Sequence, residues 1–426
     1  MKFFKMKILW FTNTPCEATE YLTGNRVKSG GWLLALSKAL KQQPDIELHI
    51  AFFWGKRLTA FQYLDITYHP IWREGDYSRI GRYINRLKGQ FSDTQDSEET
   101  QAFQQVIQSV SPDIIHIHGS EESFGLIACD KKLEIPIVLS IQGLLSAYRL
   151  KYYSGITKSQ VEANEPLFRK LLLDGIQSKY RNFSRRAERE KCIFKSLKYV
   201  IGRTDWDKRC AMALNPDINY FIVNEILREE FLNAEWRQCL DGQTFTIVST
   251  ISSGIYKGLE IVYQTAKRLK EINFKFTWKI IGLSPGDEMV RISENLCKIS
   301  ADTINIQLLG GKQADEMVNI MQQSDLYVQV SHIENSPNSL CEAMALGMPI
   351  IASIAGGTPS MLTNGKEGIL IQDGNYLELV GAIIEAHANY TDMVTKGKNA
   401  RMRALNRHNP QNVVKELIQV YNALIL

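Results

Sequence analysis

The sequence predicts an α/β protein made of two open parallel sheets, each covered by helices, facing one another across a cleft. Three observations carry this. Short β-branched runs alternate with helical stretches in both halves of the chain. The chain has 426 residues, 44% of them hydrophobic, which is enough for two cores. Glycine (28) and proline (12) are near average and no segment is of low complexity, so the halves are not strung on a long linker.

In chain order, the first half reads as strands at 7–11, 47–52, 114–118, 137–141, 199–201 and 220–223, with helices near 31–41, 100–110 and 161–194. The polar, charged stretch 75–100 reads as a mobile excursion between strand and helix. The second half reads as strands at 245–251, 277–281, 304–308, 326–330, 350–352 and 368–371, with helices near 259–270, 287–299, 314–322, 339–346 and 376–388. The seam falls between Glu225 and Gln243. This divides the chain into a first domain at 1–225, a second at 240–405, and a terminal segment at 406–426. Within that segment an amphipathic helix at 412–424 follows a turn at Asn409-Pro410 and is free to pack back on the first domain. Open α/β sheets bind ligands at the carboxyl ends of their strands, so two facing sheets put a substrate in the cleft between them.

Composition and spacing exclude several classes. The seven cysteines form no CxxC pair and no zinc-ligand spacing, so they read as free thiols in a reducing compartment. The start is too short and too often interrupted by lysine to be a signal-peptide core, and no window reaches about eighteen uninterrupted apolar residues. A cytoplasmic protein is expected, with the inner membrane face as a candidate docking surface. Net charge is +4, but 149–195 holds twelve Lys and Arg against five Asp and Glu. Tyr152, Tyr153, Tyr180 and Phe183 are interleaved with them. This stretch reads either as a surface for anionic lipid or as a solvated helix face with an apolar underside. The remainder of the chain is net acidic and holds no recognised binding module, so nucleic acid is not an expected partner.

The most informative motif runs from His332 to Pro349. An apolar strand ends at Val330, a polar loop carries Glu334, and a helix opens near Ser339 and closes at Gly347 with Pro349 beyond. Free amides at that helix start, near Asn338 and Ser339, suit phosphate oxygens, and a carboxylate just before it can accept sugar hydroxyls. Ser339-Leu-Cys-Glu342 is equally an S-x-x-E capping box, which needs no ligand. Gly356-Gly357 after the next strand allows close backbone approach or a tight turn. Lys257, at the entrance of another strand-to-helix joint, can neutralise a diphosphate or simply be a surface lysine. Gly30-Gly31 is not a GxGxxG fingerprint, which makes a dehydrogenase a poor reading. His116 and His118 share a strand face without further ligands at metal spacing, so they read as cleft or core histidines, and neither metal nor cofactor is expected.

Together these residues resemble the retaining glycosyltransferases of family 4, which have the GT-B architecture of two facing Rossmann-like domains. Glu334 and Glu342 match the family's E-x7-E motif. Ala343-Met-Ala-Leu-Gly347-Met-Pro-Ile and Gly356-Gly357-Thr-Pro359 follow in the family's order. Gly30-Gly31, His116-Ile-His118-Gly119 and Gly202-Arg-Thr204-Asp-Trp206-Asp resemble its first-domain segments, so the likeness spans roughly 6–405. It implies that Glu334 holds the donor sugar, Glu342 the nucleotide ribose, and Lys257 with the amides near Asn338 and Ser339 the leaving diphosphate. Gly30 and Gly31 would let the backbone approach phosphate and acceptor. Two positions depart from the family. Ser252 stands where an arginine is usual, and Gln142 where many members have a histidine near the sugar. Arg203 is the candidate replacement cation, and His118 a cleft contact.

The resemblance implies a retaining, metal-independent hexosyltransferase using a nucleoside-diphosphate sugar, with uridine the expected base. The acceptor would be a saccharide or lipid-linked saccharide in surface polysaccharide assembly. Two alternatives are a catalytically silent nucleotide-binding or scaffold subunit, suggested by Ser252 and Gln142, and an epimerase or phosphorylase on the same fold.

Overall fold

The computed structural model describes residues 5–24, 31–73, 94–166, 169, 172–237 and 244–425. Two sheets organise them. The first contains β1 (Met6–Thr12), β2 (Ile46–Trp54), β3 (Phe61–Tyr63), β4 (Ile66–Trp72), β5 (Ile114–His118), β6 (Ile137–Ser140), β7 (Tyr199–Gly202) and β8 (Asn219–Ile222), in the order β3-β4-β2-β1-β5-β6-β7-β8. All neighbours are parallel except β3 and β4. The second contains β9 (Phe245–Thr250), β10 (Phe276–Ile281), β11 (Ile306–Leu308), β12 (Leu326–Gln329), β13 (Ile350–Ser353) and β14 (Ile369–Ile371), in the order β11-β10-β9-β12-β13-β14, all parallel.

Alternation along β1 shows how a parallel sheet is buried on both faces. Ile8 and Trp10 enter one core cluster with Leu33 and Leu36, while Leu9 and Phe11 enter another with Phe103, Ile117 and Ile193. The helix Pro410–Ile425 lies on the first of these clusters through Val413, Val414, Leu417, Val420, Tyr421 and Leu424. The chain therefore returns to its first sheet after completing the second.

The structure departs from expectation in identifiable places. The helix expected over 161–194 divides into Lys158–Asn164 and Ile176–Ser196. Pro166 disfavours helical geometry at the residue before it, and Glu165 is extended at φ −89° and ψ 121°. The strand expected from 304 starts at Ile306, because Asn305 takes a left-handed φ of 58° after a short 3-10 turn. The hairpin β3–β4 and the helix Tyr390–Arg407 were not expected. Most of the 75–100 excursion lies outside the described residues, and helix Thr94–Val110 begins before 100.

Beneath the returning helix, the Tyr421 hydroxyl accepts from Trp10 Nε1 at 3.0 Å and meets His116 Nδ1 at 2.7 Å, and His116 Nε2 meets Ser140 Oγ at 2.7 Å. Burial drives the His116 ring down to about 3, so it is neutral, with Nδ1 accepting from the hydroxyl. Tyr421→Phe leaves a buried N–H and a buried ring nitrogen unpaired. It should destabilise the protein by about 1–3 kcal/mol, read from chemical denaturation.

Candidate functional site

In the second sheet the chain builds β10 and β11 on one side of β9, then β12, β13 and β14 on the other. The crevice of such a sheet opens where the order reverses, between β9 and β12. The loop after β9 carries Ser252 and Lys257, and the loop after β12 carries Glu334. Lys257 Nζ donates to Glu334 Oε1 at 2.6 Å. Burial alone would depress the Lys257 ammonium. The Glu334 carboxylate beside it, with a contribution from Tyr256, more than reverses that and holds it above its ordinary value. Ser252 is exposed at the loop's outer side.

Backbone contacts fix this pair. Gly258 has φ +76°, and a Cβ there would overlap the Val330 carbonyl oxygen. The His332 amide donates to Tyr256 O at 2.9 Å, tying the β12 loop to the turn that carries Lys257. Ser353 Oγ donates to Ser331 O at 2.6 Å, and Gly357 N to Glu334 O at 2.9 Å. Side chains at Gly356 (φ +53°) or Gly357 would overlap the carbonyl oxygens of Glu334 and Asn335.

The helix Asn338–Leu346 starts beside this pair, closing at Gly347 with φ 85°. The capping-box alternative is not what the structure uses. Pro337 takes the N-cap position, no side chain caps the start, and Ser339 is already inside the first turn. Asn338 Oδ1 is buried with no hydrogen-bond partner among the described residues. Glu342, 3% exposed, turns instead to Arg228, whose Nε and Nη2 donate to its two oxygens at 2.7 and 2.8 Å.

The first sheet reverses its order between β1 and β5. Gly31 opens the helix Gly31–Leu40 after β1, and Gly30 lies outside the described residues. His118 ends β5, its ring edge-on to Trp10 and Trp32 and 3.9 Å from the His116 ring centroid. It is buried without a hydrogen-bond partner among the described residues, and burial with the nearby His116 and Arg203 keeps it neutral. Gln142 Nε2 donates to His118 O at 3.1 Å. Arg203 is committed elsewhere. Its guanidinium pairs with Glu225 at 3.2 Å and lies 4.3 Å from the Trp32 ring. Sequence reasoning missed Glu121, which accepts from Gly143 N at 2.9 Å and which burial drives up to about 7. It also missed Tyr148, 5.5 Å from Tyr256 across the seam.

The two halves meet at the Glu334 loop itself. Thr204 Oγ1 donates to Asn335 Oδ1 at 2.9 Å, Asn335 Nδ2 to Gln142 O at 3.2 Å, and Ser336 Oγ to Glu225 Oε1 at 2.5 Å. Glu225, Cys341 and His408 place metal-type ligand atoms within 4.8 Å of one another. Arg203 and Ser336 already bind that carboxylate, and the guanidinium opposes a cation there. Among the described residues of the stretch 149–195 the aromatics face inward. Tyr152, Tyr153, Tyr180 and Phe183 pack with Tyr256 into the core of the second sheet, while Leu150 is 81% exposed. Many of its cations are paired, among them Arg149 with Glu188, Arg169 and Lys179 with Glu288, and Arg189 with Asp96. No described helix is long and apolar enough to cross a membrane.

Residues 235–403 match the family described as glycosyl transferases group 1. The amylovoran biosynthesis glycosyltransferase AmsK of Erwinia amylovora is 23% identical over 204 residues, covering 46% of this chain and 49% of that protein. The chain spans about half the length of the curated relatives it matches. A sucrose-phosphate synthase of Thermosynechococcus elongatus superposes with a TM-score of 0.74 at 14% identity, covering 99% of both chains. HepE of Anabaena, solved in complex with UDP and glucose, does so with a TM-score of 0.65 at 15% identity, covering 98% of this chain and 99% of that one. The fold is the two-domain GT-B architecture found in glycosyltransferases.

One seam contact is set to respond to pH. His332 Nε2 meets Glu260 at 2.6 Å and Nδ1 meets Asp373 at 2.5 Å, and Lys151 of the first half reaches Asp373 at 2.9 Å. Burial opposes the imidazolium, but hydrogen bonds to Asp373 and Glu260 raise it to about 9 from 6.5. The folded state thus holds a proton that the unfolded chain releases above pH 6.5. This stabilisation is complete below that pH and is lost as pH rises towards 9. The denaturation midpoint should fall over this window, and His332→Gln should flatten the fall.

Proposed function

We propose that the chain is a retaining glycosyltransferase using a nucleoside-diphosphate sugar, with UDP as the nucleotide. Its acceptor would be a saccharide or lipid-linked saccharide in surface polysaccharide synthesis. The observation that carries the reading is the pair of half-buried Lys257 and buried Glu334, set beside a helix N-terminus at the point where the second sheet reverses its order. The names of relatives such as AmsK and the capsular polysaccharide biosynthesis glycosyltransferase CapM of Staphylococcus aureus support the polysaccharide assignment. The UDP in HepE supports the choice of nucleotide.

The chemistry follows from these groups. The bond between the sugar's anomeric carbon and the diphosphate oxygen breaks, and its electron pair leaves with the phosphate. Lys257 and the amides at Asn338 and Ser339 stabilise that charge, placed in advance where it develops. Glu334 accepts sugar hydroxyls and its charge favours the electron-poor anomeric carbon. Glu342 accepts from the ribose. The acceptor oxygen attacks from the face the diphosphate leaves, which preserves the configuration, and its proton passes to the departing phosphate. Glu121, which with Tyr148 lies against Gly143, would orient the acceptor.

Titration calorimetry with UDP, GDP and ADP should show saturable binding of UDP. Glu334→Ala should then lower kcat by about 10²–10³-fold with little change in UDP affinity. Absence of binding by all three would contradict the reading. Binding without transfer to any acceptor would favour the silent-subunit alternative.

A further inference from the structure

Arg228 lies in the connection between the two sheets, at the start of the short helix Glu229–Asn233. Its side chain crosses the seam. The stem rests on the backbone of Gly31, where a Cβ would overlap Arg228 Cγ and Cδ. The guanidinium lies 4.6 Å from the Phe231 ring and ends on both oxygens of Glu342. The two residues expected to approach a donor from opposite domains, Gly31 and Glu342, are therefore joined by one cation.

Three features show that this arginine does more than satisfy a buried carboxylate. It is not sealed in, since its side chain is 24% exposed against 4% for Glu342. Nη1 has no partner among the described residues. It also lines a cavity of about 860 Å³ with Gly31, Gln313 and Ala314, a volume suited to a small ligand. Among the described residues the wall of that cavity carries Glu17, Glu20, Glu229, Glu230 and Asp315, with Lys38 and Arg228 as its cations. An anion that approaches along this wall is repelled unless a cation meets it. In the loop after β9 Lys257 is a cation, and Ser252 adds no second charge to it.

A ribose cis-diol presents two adjacent O–H donors, and Arg228 presents two adjacent N–H donors to the same carboxylate. We propose that Arg228 is a donor-binding residue that exchanges partners: it holds Glu342 through the hydrogen bonds a ribose diol would make, and yields Glu342 to the ribose as its charge passes to the diphosphate. This rests on the nucleotide-sugar reading above. Glu342 has two hydrogen-bond donors both before and after the exchange, so neither of its buried oxygens is left unsatisfied.

The test is equilibrium binding of UDP and of uridine to the full-length protein, to Arg228→Ala and to Arg228→Lys, with thermal unfolding as the check on folding. Exchange predicts that Arg228→Ala weakens UDP at least tenfold while uridine binds unchanged or tighter, and that Arg228→Lys recovers part of the UDP affinity. Equal weakening of UDP and uridine would overturn the proposal, because an arginine that only shapes Glu342 affects both alike. Tighter binding of UDP by Arg228→Ala would also overturn it, showing Arg228 to be an obstruction. If Arg228→Ala does not fold, Arg228→Gln/Glu342→Gln removes the unpaired carboxylate and its UDP-to-uridine ratio gives the same reading. An unmodified protein that binds none of UDP, GDP and ADP overturns the nucleotide-sugar reading itself, and this proposal with it.

Discussion

A lysine and a glutamate 77 residues apart form a half-buried ion pair here because three strand-end loops of the second sheet meet in close backbone contact at glycines. Gly258 lies against the carbonyl of Val330, and Gly356 and Gly357 against those of Glu334 and Asn335. At Gly258 and Gly356 the backbone also takes a left-handed conformation that other residues adopt only at a cost. A charged pair in a low-dielectric place is costly unless its geometry is held. These close approaches hold it, which is why the glycines belong to the site as much as the charged groups do.

The same loop also closes the cleft. Asn335 and Ser336 reach Thr204, Gln142 and Glu225 of the first half, so the residue that carries the carboxylate is followed at once by residues that report the position of the other domain. A second set of contacts joins the halves through Lys151, Asp373, His332 and Glu260, with His332 in the same loop after β12. Gly155, with φ +81°, allows that approach, since a Cβ there would overlap Glu260 and His332. The site and the contacts between the halves thus share one short segment, from Ser331 to Ser336.

Much of this was legible in sequence because the informative features are local. The parallel strands are short apolar runs, and the Glu334 loop, its helix and its glycines are contiguous or nearly so. What escaped has no local signature. The β3–β4 hairpin turns at Leu64 and Asp65 with φ of 47° and 64°, where the usual Asn-Gly signal is missing. The Tyr390–Arg407 helix buries Gly397, Ala400 and Ala404 along with Tyr390 and Met393, a face too small to read as an apolar stripe. Arg228 lies 114 residues from Glu342, and His332 lies 72 from Glu260, so only the fold brings them together. Composition leaves the stretch 149–195 open between a lipid-facing surface and a solvated helix face with an apolar underside, because it cannot show that Tyr152, Tyr153, Tyr180 and Phe183 pack with Tyr256.

The central claim is that the crevice between β9 and β12 holds the nucleotide donor. Hydrogen–deuterium exchange of the full chain with and without saturating UDP tests it most directly, since a ligand slows exchange where it covers or orders amides. The account predicts slowed exchange in the turn at Ile255–Lys257, the loop from Ser331 to Ser336, the first turn of Asn338–Leu346, and Gly356-Gly357. Protection confined to the first sheet, or absent from these four segments while UDP is bound, would contradict it.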